Sequence, residues 1–244
     1  MDLKDITKLI TNGAESLNIK KWDFGASFSN DFSVQVDKGI AKQLKASQKQ
    51  VLTLRVWNNK NLVGITTTSD LSENGLKRAL YQANLASDYG NKNELTDFSP
   101  LAKDPIEKIK VVKRSPSGIK KLLEKLRIAE NELLKKHSAI KTIPYNGLSE
   151  SFFKRIYANS DGAQRSYEKS QAAIYLYARA EENNRKPRSS GSVKIGYGLE
   201  DIDINSCIDE AAEKTISHLN YSAIETGKYK ICFSPESFLT LLNA

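Results

Sequence analysis

Histidine and cysteine, the residues that most often bind metals or act as nucleophiles, are rare in this chain. It contains two histidines, His137 and His218, and two cysteines, Cys207 and Cys232. Neither histidine belongs to a set of carboxylates and thiols at ligand spacing, and the cysteines lack CxxC spacing. We therefore expect no catalytic and no metal-ligating residue here, and two reduced thiols instead of a disulfide.

Two further patterns begin like binding motifs but do not complete them. The run DIDIN at 201–205 starts like a calcium-binding EF-hand loop. That loop then requires a glycine where Ser206 stands and a bidentate glutamate where Ala212 stands. The glycines of GSVKIGYG do not form GxGxxG, and they favour a bend in a strand over a phosphate site.

A row of side chains that could contact a partner or a peptide lies in QAAIYLYARAEE. Alternation places Tyr175, Tyr177 and Arg179 on one side of a strand. The other side is apolar and comprises Ile174, Leu176, Ala178 and Ala180. Tyrosine and arginine are enriched at interfaces, so the Tyr–Tyr–Arg row is a candidate contact surface. The alternative is that these side chains pack under a helix or line an ordinary sheet surface.

Periodicity in the first 105 residues predicts a strand-rich unit that leads into a helix. Leu52, Leu54 and Val56 share one predicted strand face, with turns at 37–39 and 58–61. A helix follows, with Asp70 or Ser72 as its N-cap. The other elements predicted here are a helix over 3–17, a strand over 22–28 and a linker over 91–105.

The rest of the chain predicts a second unit of the same kind. Ser115-Pro116 opens a helix, and an antiparallel meander begins at Ser149 with a turn at 159–162. Segment 183–191 has the charges and breakers of an exposed loop, and a helix follows Asp203 or Asn205. The pattern KYKICF at 228–233 predicts a strand, and Ser234-Pro235 a helix start. The apolar run after it ends without a cap, which indicates a fragment or an interrupted gene.

Net charge is the main argument for a polyanionic partner. The formal charge is +8 and the isoelectric point is near 9.2. Lysines are interleaved with acids, as in KKLLEKLRIAENELLKK, which is typical of a solvated helix. We therefore expect no specific nucleic-acid binding, and a basic module for nucleic acid or another polyanion remains the alternative function.

Several ordered segments of this chain together resemble the TldD/PmbA family. They include FSVQVDKGIAKQLKASQKQVLTLRVWNNKNLVGITTTSD, IYANSDGAQRSYEKSQAAIYLYAR, GYGLEDID and IDEAAEKTISHLNYSAIETGKYKICFSPESFLTLL. The resemblance implies an α+β fold of two domains, each mainly antiparallel sheet packed with helices, then the start of a missing third domain. The implied bounds are 1–95 for the N-terminal domain, 106–224 for the middle domain and 228–244 for the truncated C-terminal domain.

The resemblance also implies a function. Members pair into a metallopeptidase that matures or degrades peptides, and their older name is modulator of DNA gyrase. The metal-bearing member carries HExxxH, where two histidines bind zinc and the glutamate serves as general base. The corresponding segment here is SPESFLTLLNA, which has no histidine. The chain thus resembles the PmbA (TldE-like) member of the pair. The resemblance implies that it is inactive alone and that zinc is bound only by its TldD-like partner.

The remaining expectations concern partners and location. The resemblance implies a TldD-like subunit or self-association, and a peptide substrate. No stretch approaches the ~20 apolar residues of a membrane span, and MDLKDITKLITNGAESL lacks the apolar core of a signal peptide. We therefore expect no membrane partner and a cytoplasmic location.

Overall fold

A computed structural model describes residues 2–90, 98–106 and 111–243, without the side chain of Glu236. Short 3₁₀ turns lie at Pro100–Lys103 and Leu199–Asp201. The helices are α1 (Leu3–Ser16), α2 (Glu73–Ser87), α3 (Ile119–Lys135), α4 (Ile204–Ser217) and α5 (Pro235–Leu242). The strands are β1 (Lys21–Asp37), β2 (Ile40–Trp57), β3 (Val63–Thr68), β4 (Ile140–Asn159), β5 (Gln164–Ala180) and β6 (Arg188–Gly196).

All six strands form one antiparallel sheet in the order β3-β2-β1-β4-β5-β6. The α+β prediction is confirmed. Each half of the chain contributes the same series of elements, a helix, a three-stranded meander and a second helix. The halves meet where β1 pairs with β4, from Asp23 opposite Asn159 to Val34 opposite Leu148. The two expected units therefore share a single sheet, while their exact bounds stay a prediction.

The first four helices cover one face of this sheet. Helices α1 and α2 pack on Phe24, Leu54 and Ile156, among others, and form one core cluster. Helices α3 and α4 pack on a second cluster that includes Val34 and Ile174. All of these strand residues have even numbers, because alternate side chains point to the same face. Burying each such side chain stabilises the fold by about 1.5–3 kcal/mol.

The tight turns have the chemistry that the sequence predicts. Lys38 and Gly39 join β1 to β2 with φ of 52° and 76°, and Asn61 adopts φ 58° before β3. The carboxylate of Glu130 accepts hydrogen bonds from the backbone N–H of Lys38 at 3.1 Å and of Gly39 at 2.6 Å. Helix α3 thereby fixes the β1–β2 turn. Ser72 caps α2 by accepting from the N–H of Gly75, as one of the two predicted caps.

Several boundaries differ from the sequence prediction. Strand β4 begins at Ile140 instead of Ser149, because it pairs with β5 from there. Strand β1 continues to Asp37, beyond the strand predicted over 22–28, because it pairs with β2 as far as its end. Helix α3 begins at Ile119, not at Ser115-Pro116, because the N–H and hydroxyl of Ser117 donate to the carboxylate of Glu150 at 2.7 and 3.1 Å. The predicted loop over 183–191 ends earlier, since β6 begins at Arg188. There the backbone of Gly191 passes so close to β5 that an added Cβ would lie 2.2 Å from the oxygen of Leu176.

The predicted strand at 228–233 is wrong. These residues form no ladder with any strand that the structure describes, and their side chains are exposed. A strand exists only through its partner, and this segment has none within the described part of the chain. Helix α5 does begin at Pro235, with the hydroxyl of Ser234 accepting from the N–H of Ser237 at 3.3 Å.

Candidate functional site

The face of the sheet opposite the helices, here called the open face, carries the odd-numbered residues of β1. No helix packs on it in the ranges that the structure describes. Instead, the segment after residue 97 crosses one end of it, where the ring of Phe98 meets the ring of Trp57 edge-on at 5.3 Å. This face is where the sheet can present side chains to another molecule.

An ion pair with a buried carboxylate lies at one end of the open face. The guanidinium of Arg55 on β2 forms two hydrogen bonds with the carboxylate of Asp23 on β1, through Nε at 2.8 Å and through Nη2. The hydroxyl of Tyr157 on β4 lies 3.3 Å from the same carboxylate. The hydrogen bond to Asp23 raises the pKa of Arg55 above its usual range. Burial, followed by the nearby charge of Asp23, raises the pKa of Tyr157.

Beside this pair the open face forms a groove of about 1160 Å³. Its floor is Gly25, where an added Cβ would meet nothing within 4 Å. Eight odd-numbered strand residues line it, namely Gly25, Ser27, Val51, Thr53, Arg155, Tyr157, Arg165 and Tyr167. Ile106, Val111 and Lys113 form its rim. The volume lies slightly above the range of ~300–1,000 Å³ typical of small-molecule sites.

Arginine and tyrosine alternate in a block of four across β4 and β5. Arg155 stands opposite Tyr167, and Tyr157 stands opposite Arg165. The two arginines are thus diagonal neighbours, about 7–8 Å apart at their Cα atoms. The guanidinium of Arg155 lies 4.9 Å from the ring centre of Phe153, and Arg165 donates to the backbone oxygen of Asp104 at 2.6 Å. Within the described residues neither guanidinium forms an ion pair with a carboxylate.

The Tyr–Tyr–Arg row lies on the same open face, further along β5. The hydroxyl of Tyr175 accepts a hydrogen bond from Nε2 of Gln35 at 2.7 Å, and Nε of Arg179 lies 2.9 Å from the carboxylate of Glu181. Tyr177 is 41% exposed. In the described ranges the row does not pack under a helix, because α1–α4 cover the other face. Its role in contacts stays a prediction.

Around this row is an exposed apolar patch made of Tyr145, Tyr177, Val193 and Ile195. Tyr145 pairs with Tyr177, while Val193 and Ile195 follow on the edge strand β6. Their exposed fractions are 70% for Tyr145, 41% for Tyr177, 48% for Val193 and 65% for Ile195. Exposed apolar side chains grouped in this way are typical of protein–protein contacts.

Comparison with known proteins decides the family. Residues 99–219 match the PmbA/TldA metallopeptidase central domain. The chain belongs to the TldD/PmbA family. No curated protein matches it in sequence.

Solved structures share the fold of this TldD/PmbA chain. A protein of Thermotoga maritima described as a modulator of a DNA gyrase has a TM-score of 0.77 and 16% identity, over 93% of this chain and 50% of its own. TldE from Thermococcus kodakarensis has a TM-score of 0.71 and 16% identity, over 86% and 47%. A protein of Bacteroides thetaiotaomicron described as a modulator of DNA gyrase has a TM-score of 0.75 and 13% identity, over 93% of this chain and 52% of its own. This chain spans about half the length of these relatives.

The residues described for this TldD/PmbA chain do not fit the zinc ion that the family name implies. Across 2–90, 98–106 and 111–243, no three His, Cys, Asp or Glu side chains lie close enough to hold a metal. Nδ1 of His137 accepts a hydrogen bond from the N–H of Ala139 at 3.1 Å. In the calcium-like run, Asp201 pairs with Arg114 at 2.8 Å, and Asp203 caps α4 through the N–H of Ser206.

Sequence reasoning missed the groove, although a signal for it was present. The turn at 159–162 was predicted, and hairpin pairing outward from it places Tyr157 opposite Arg165 and Arg155 opposite Tyr167. Gly25 and Thr53 come from the other half of this TldD/PmbA chain. They reach the groove only because β1 pairs with β4 in one particular register, and no local sequence pattern predicts that register.

Proposed function

We propose that this chain belongs to a PmbA/TldE-like subunit, without metal, of a TldD/PmbA metallopeptidase complex that matures or degrades peptides. The observation that carries the proposal is the family match over 99–219 in a sequence that contains no HExxxH. The likeness to TldE supports the same assignment. A TldD-like partner would hold the zinc ion, and we expect the complex in the cytoplasm.

In this proposal the described part of the chain binds and positions other molecules. The open face offers two surfaces for that, the apolar patch and the groove. The patch joins side chains of β4, β5 and β6, and Tyr177 is one of its members. We assign it to the contact with the TldD-like subunit, because it is apolar, while the groove is concave and lined by Arg155 and Arg165.

Copurification tests this assignment. The tagged chain, coexpressed with the TldD-like subunit of the same organism, is expected to retain that subunit, and zinc is expected only in the subunit with HExxxH. A double variant Tyr177→Ser and Ile195→Ser should weaken the complex by about tenfold or more, since two apolar contacts are lost. The matched control is Ile128→Ser on α3, where the side chain is 51% exposed and faces away from the patch.

Either of two copurification results would contradict the proposal. One is a chain that never retains the TldD-like subunit, and the other is a complex that loses as much affinity with Ile128→Ser as with the patch variant. One tightly bound zinc ion per chain in the isolated protein would also remove the assignment to the metal-free partner.

The alternative function, binding of nucleic acid or another polyanion, is favoured by the net charge of +8 and by Arg155 and Arg165, whose guanidiniums form no ion pair with a carboxylate among the described residues. Salt separates the two functions. Binding through phosphates should weaken steeply as salt concentration rises, whereas contact through the apolar patch should not.

A further inference from the structure

We propose that the groove over Gly25 binds an extended peptide that carries a carboxylate, and that Arg155 and Arg165 hold this carboxylate. The peptide nature of the ligand rests on the proposed function. The position of the anion rests on the geometry of the groove alone.

The charge of the groove points to an anion. Arg55, Arg114 and Arg179 each form an ion pair with a carboxylate of this chain. Arg155 and Arg165 line the groove and lack such a pair among the described residues. Arg165 donates two hydrogen bonds, to the backbone oxygens of Gln164 at 3.0 Å and Asp104 at 2.6 Å. A guanidinium has five N–H donors, so donors of Arg165 remain for a ligand.

These contacts also fix where the two guanidiniums lie. Arg155 stacks on Phe153, and the two bonds of Arg165 tether it to backbone atoms. Holding a cation in place before binding reduces the entropy lost when the ligand arrives. Planar guanidiniums match the geometry of a carboxylate, which is why arginine is favoured in such sites.

The shape and lining of the groove point to a peptide. Between Gly25 and the rim there is room for more than an anion, and Val51, Ile106 and Val111 provide apolar walls. Tyr157 and Tyr167 add ring surface next to the arginines. A carboxylate flanked by apolar side chains uses all of these features. The third lysine or arginine at the groove, Lys113, is already paired with Glu168, so a row of free cations for successive phosphates is lacking in the described lining.

A set of four labelled hexapeptides with apolar flanking residues tests the carboxylate. They combine a central glutamate or glutamine with a free or amidated C-terminus, and binding to the full chain is followed by fluorescence anisotropy. At least one carboxylate form should bind about tenfold or more tightly than the form with glutamine and an amidated end. The two single-carboxylate peptides show whether the anion is a side chain or the chain terminus.

Protein variants test the site. Arg155→Gln with Arg165→Gln should remove the preference for the carboxylate, and Arg127→Gln on α3 should leave it unchanged. Gly25→Val places a side chain on the floor without changing charge, and its Cβ meets nothing within 4 Å, so it should weaken binding of every peptide. Its control is Ser33→Val, on the same face of β1 but outside the groove.

The outcomes separate this site from the proposed function. Equal binding of all four peptides, or an unchanged preference in the double arginine variant, overturns the site even if the TldD-like subunit copurifies. A single-stranded oligonucleotide that competes with the peptides, with a steep salt dependence, also overturns it in favour of a polyanion surface. Peptide binding that depends on the carboxylate, and that is lost in the Gly25→Val variant, supports the site even if the TldD-like subunit fails to copurify.

Discussion

Asp23 and Arg55 form an ion pair in which the acid is buried and the base is not. The side chain of Asp23 is 3% exposed, whereas that of Arg55 is 44% exposed. Loss of the base would leave a buried carboxylate with the hydroxyl of Tyr157 as its remaining side-chain partner in the described structure. Loss of the acid would leave a cation that already reaches water.

This asymmetry predicts unequal costs of substitution. Arg55→Ala should lower the free energy of unfolding by about 3 kcal/mol, because it strands a buried charge. Asp23→Asn should cost less, about 1 kcal/mol. Urea denaturation followed by circular dichroism measures both. Arg78→Ala, which breaks an exposed pair with Asp70, is the control and should change stability far less than Arg55→Ala, because water screens an exposed pair. Equal effects of Arg55→Ala and Arg78→Ala would contradict the argument.

Two glycines on the sheet should respond oppositely to the same substitution. At Gly64 an added Cβ would lie 1.9 Å from the backbone oxygen of Ala83, so α2 would have to move away from β3. Gly64→Ala should therefore destabilise the protein by about 3 kcal/mol, at the upper end for overpacking. Gly25→Ala should be neutral or slightly stabilising, since its Cβ meets open space. Thermal unfolding of both variants provides the comparison, and similar melting temperatures would disprove it.

Glu210 makes stability depend on pH in the acid range. Hydrogen bonds from Lys194, then from Lys214 and Ser192, lower the pKa of this carboxyl from 4.5 to about 2. Because the pKa is lower in the folded state, the contribution of Glu210 to the free energy of unfolding is full above pH 4.5. It is lost as the pH falls towards 2. The side chain is 30% exposed, so water screens the pair and we expect about 1 kcal/mol at neutral pH.

The check is the difference in unfolding free energy between wild type and Glu210→Gln across this pH range. It should shrink towards zero at the acid end. Glu213→Gln, at an exposed position of the same helix, controls for the change in charge. A difference that grows on acidification would have the wrong sign for this model.

The two thiols should differ sharply in reactivity. Cys232 is exposed, whereas Cys207 is fully buried and its Sγ lies 3.6 Å from the backbone oxygen of Ser192. Burial raises the pKa of Cys207, which further reduces its thiolate fraction. A thiol reagent should therefore modify one cysteine in the folded protein and the second only on unfolding. Cys232→Ser should abolish the fast phase of thiol modification in the folded protein. A fast phase that persists in this variant would refute the assignment of that phase to Cys232.

Local patterns in the sequence were sufficient for features that depend on near neighbours. Alternation correctly predicted the buried face formed by Leu52, Leu54 and Val56, each 0% exposed. The turn at Lys38-Gly39 followed from the need for positive φ. The inward side of the Tyr–Tyr–Arg strand was likewise correct, since Ile174 and Leu176 are fully buried.

Features that depend on distant partners were not predictable in this way. The first part of β4 holds Pro144, Asn146 and Gly147, which have the composition of a loop. It forms a strand because residues 145–147 pair with β5. The side chain of Asn146 adds a link to β1, since it accepts from the N–H of Val36 at 3.0 Å and donates to the backbone oxygen of Val36 at 2.9 Å. For the same reason KYKICF, with strand-like residues but no partner in the described chain, forms none. The groove, too, required the pairing of β1 with β4.

The repeated order of elements has a consequence for register. Pairing of β1 with β4 sets the first strands of the two halves side by side in opposite directions, the relation that a two-fold axis creates between the subunits of a dimer. Gly25 and Thr53 of the first half and Arg155 and Arg165 of the second half face the same groove. A slip of one residue along the β1–β4 pairing would turn one half's side chains to the other face, so the groove depends on a single register between the two halves.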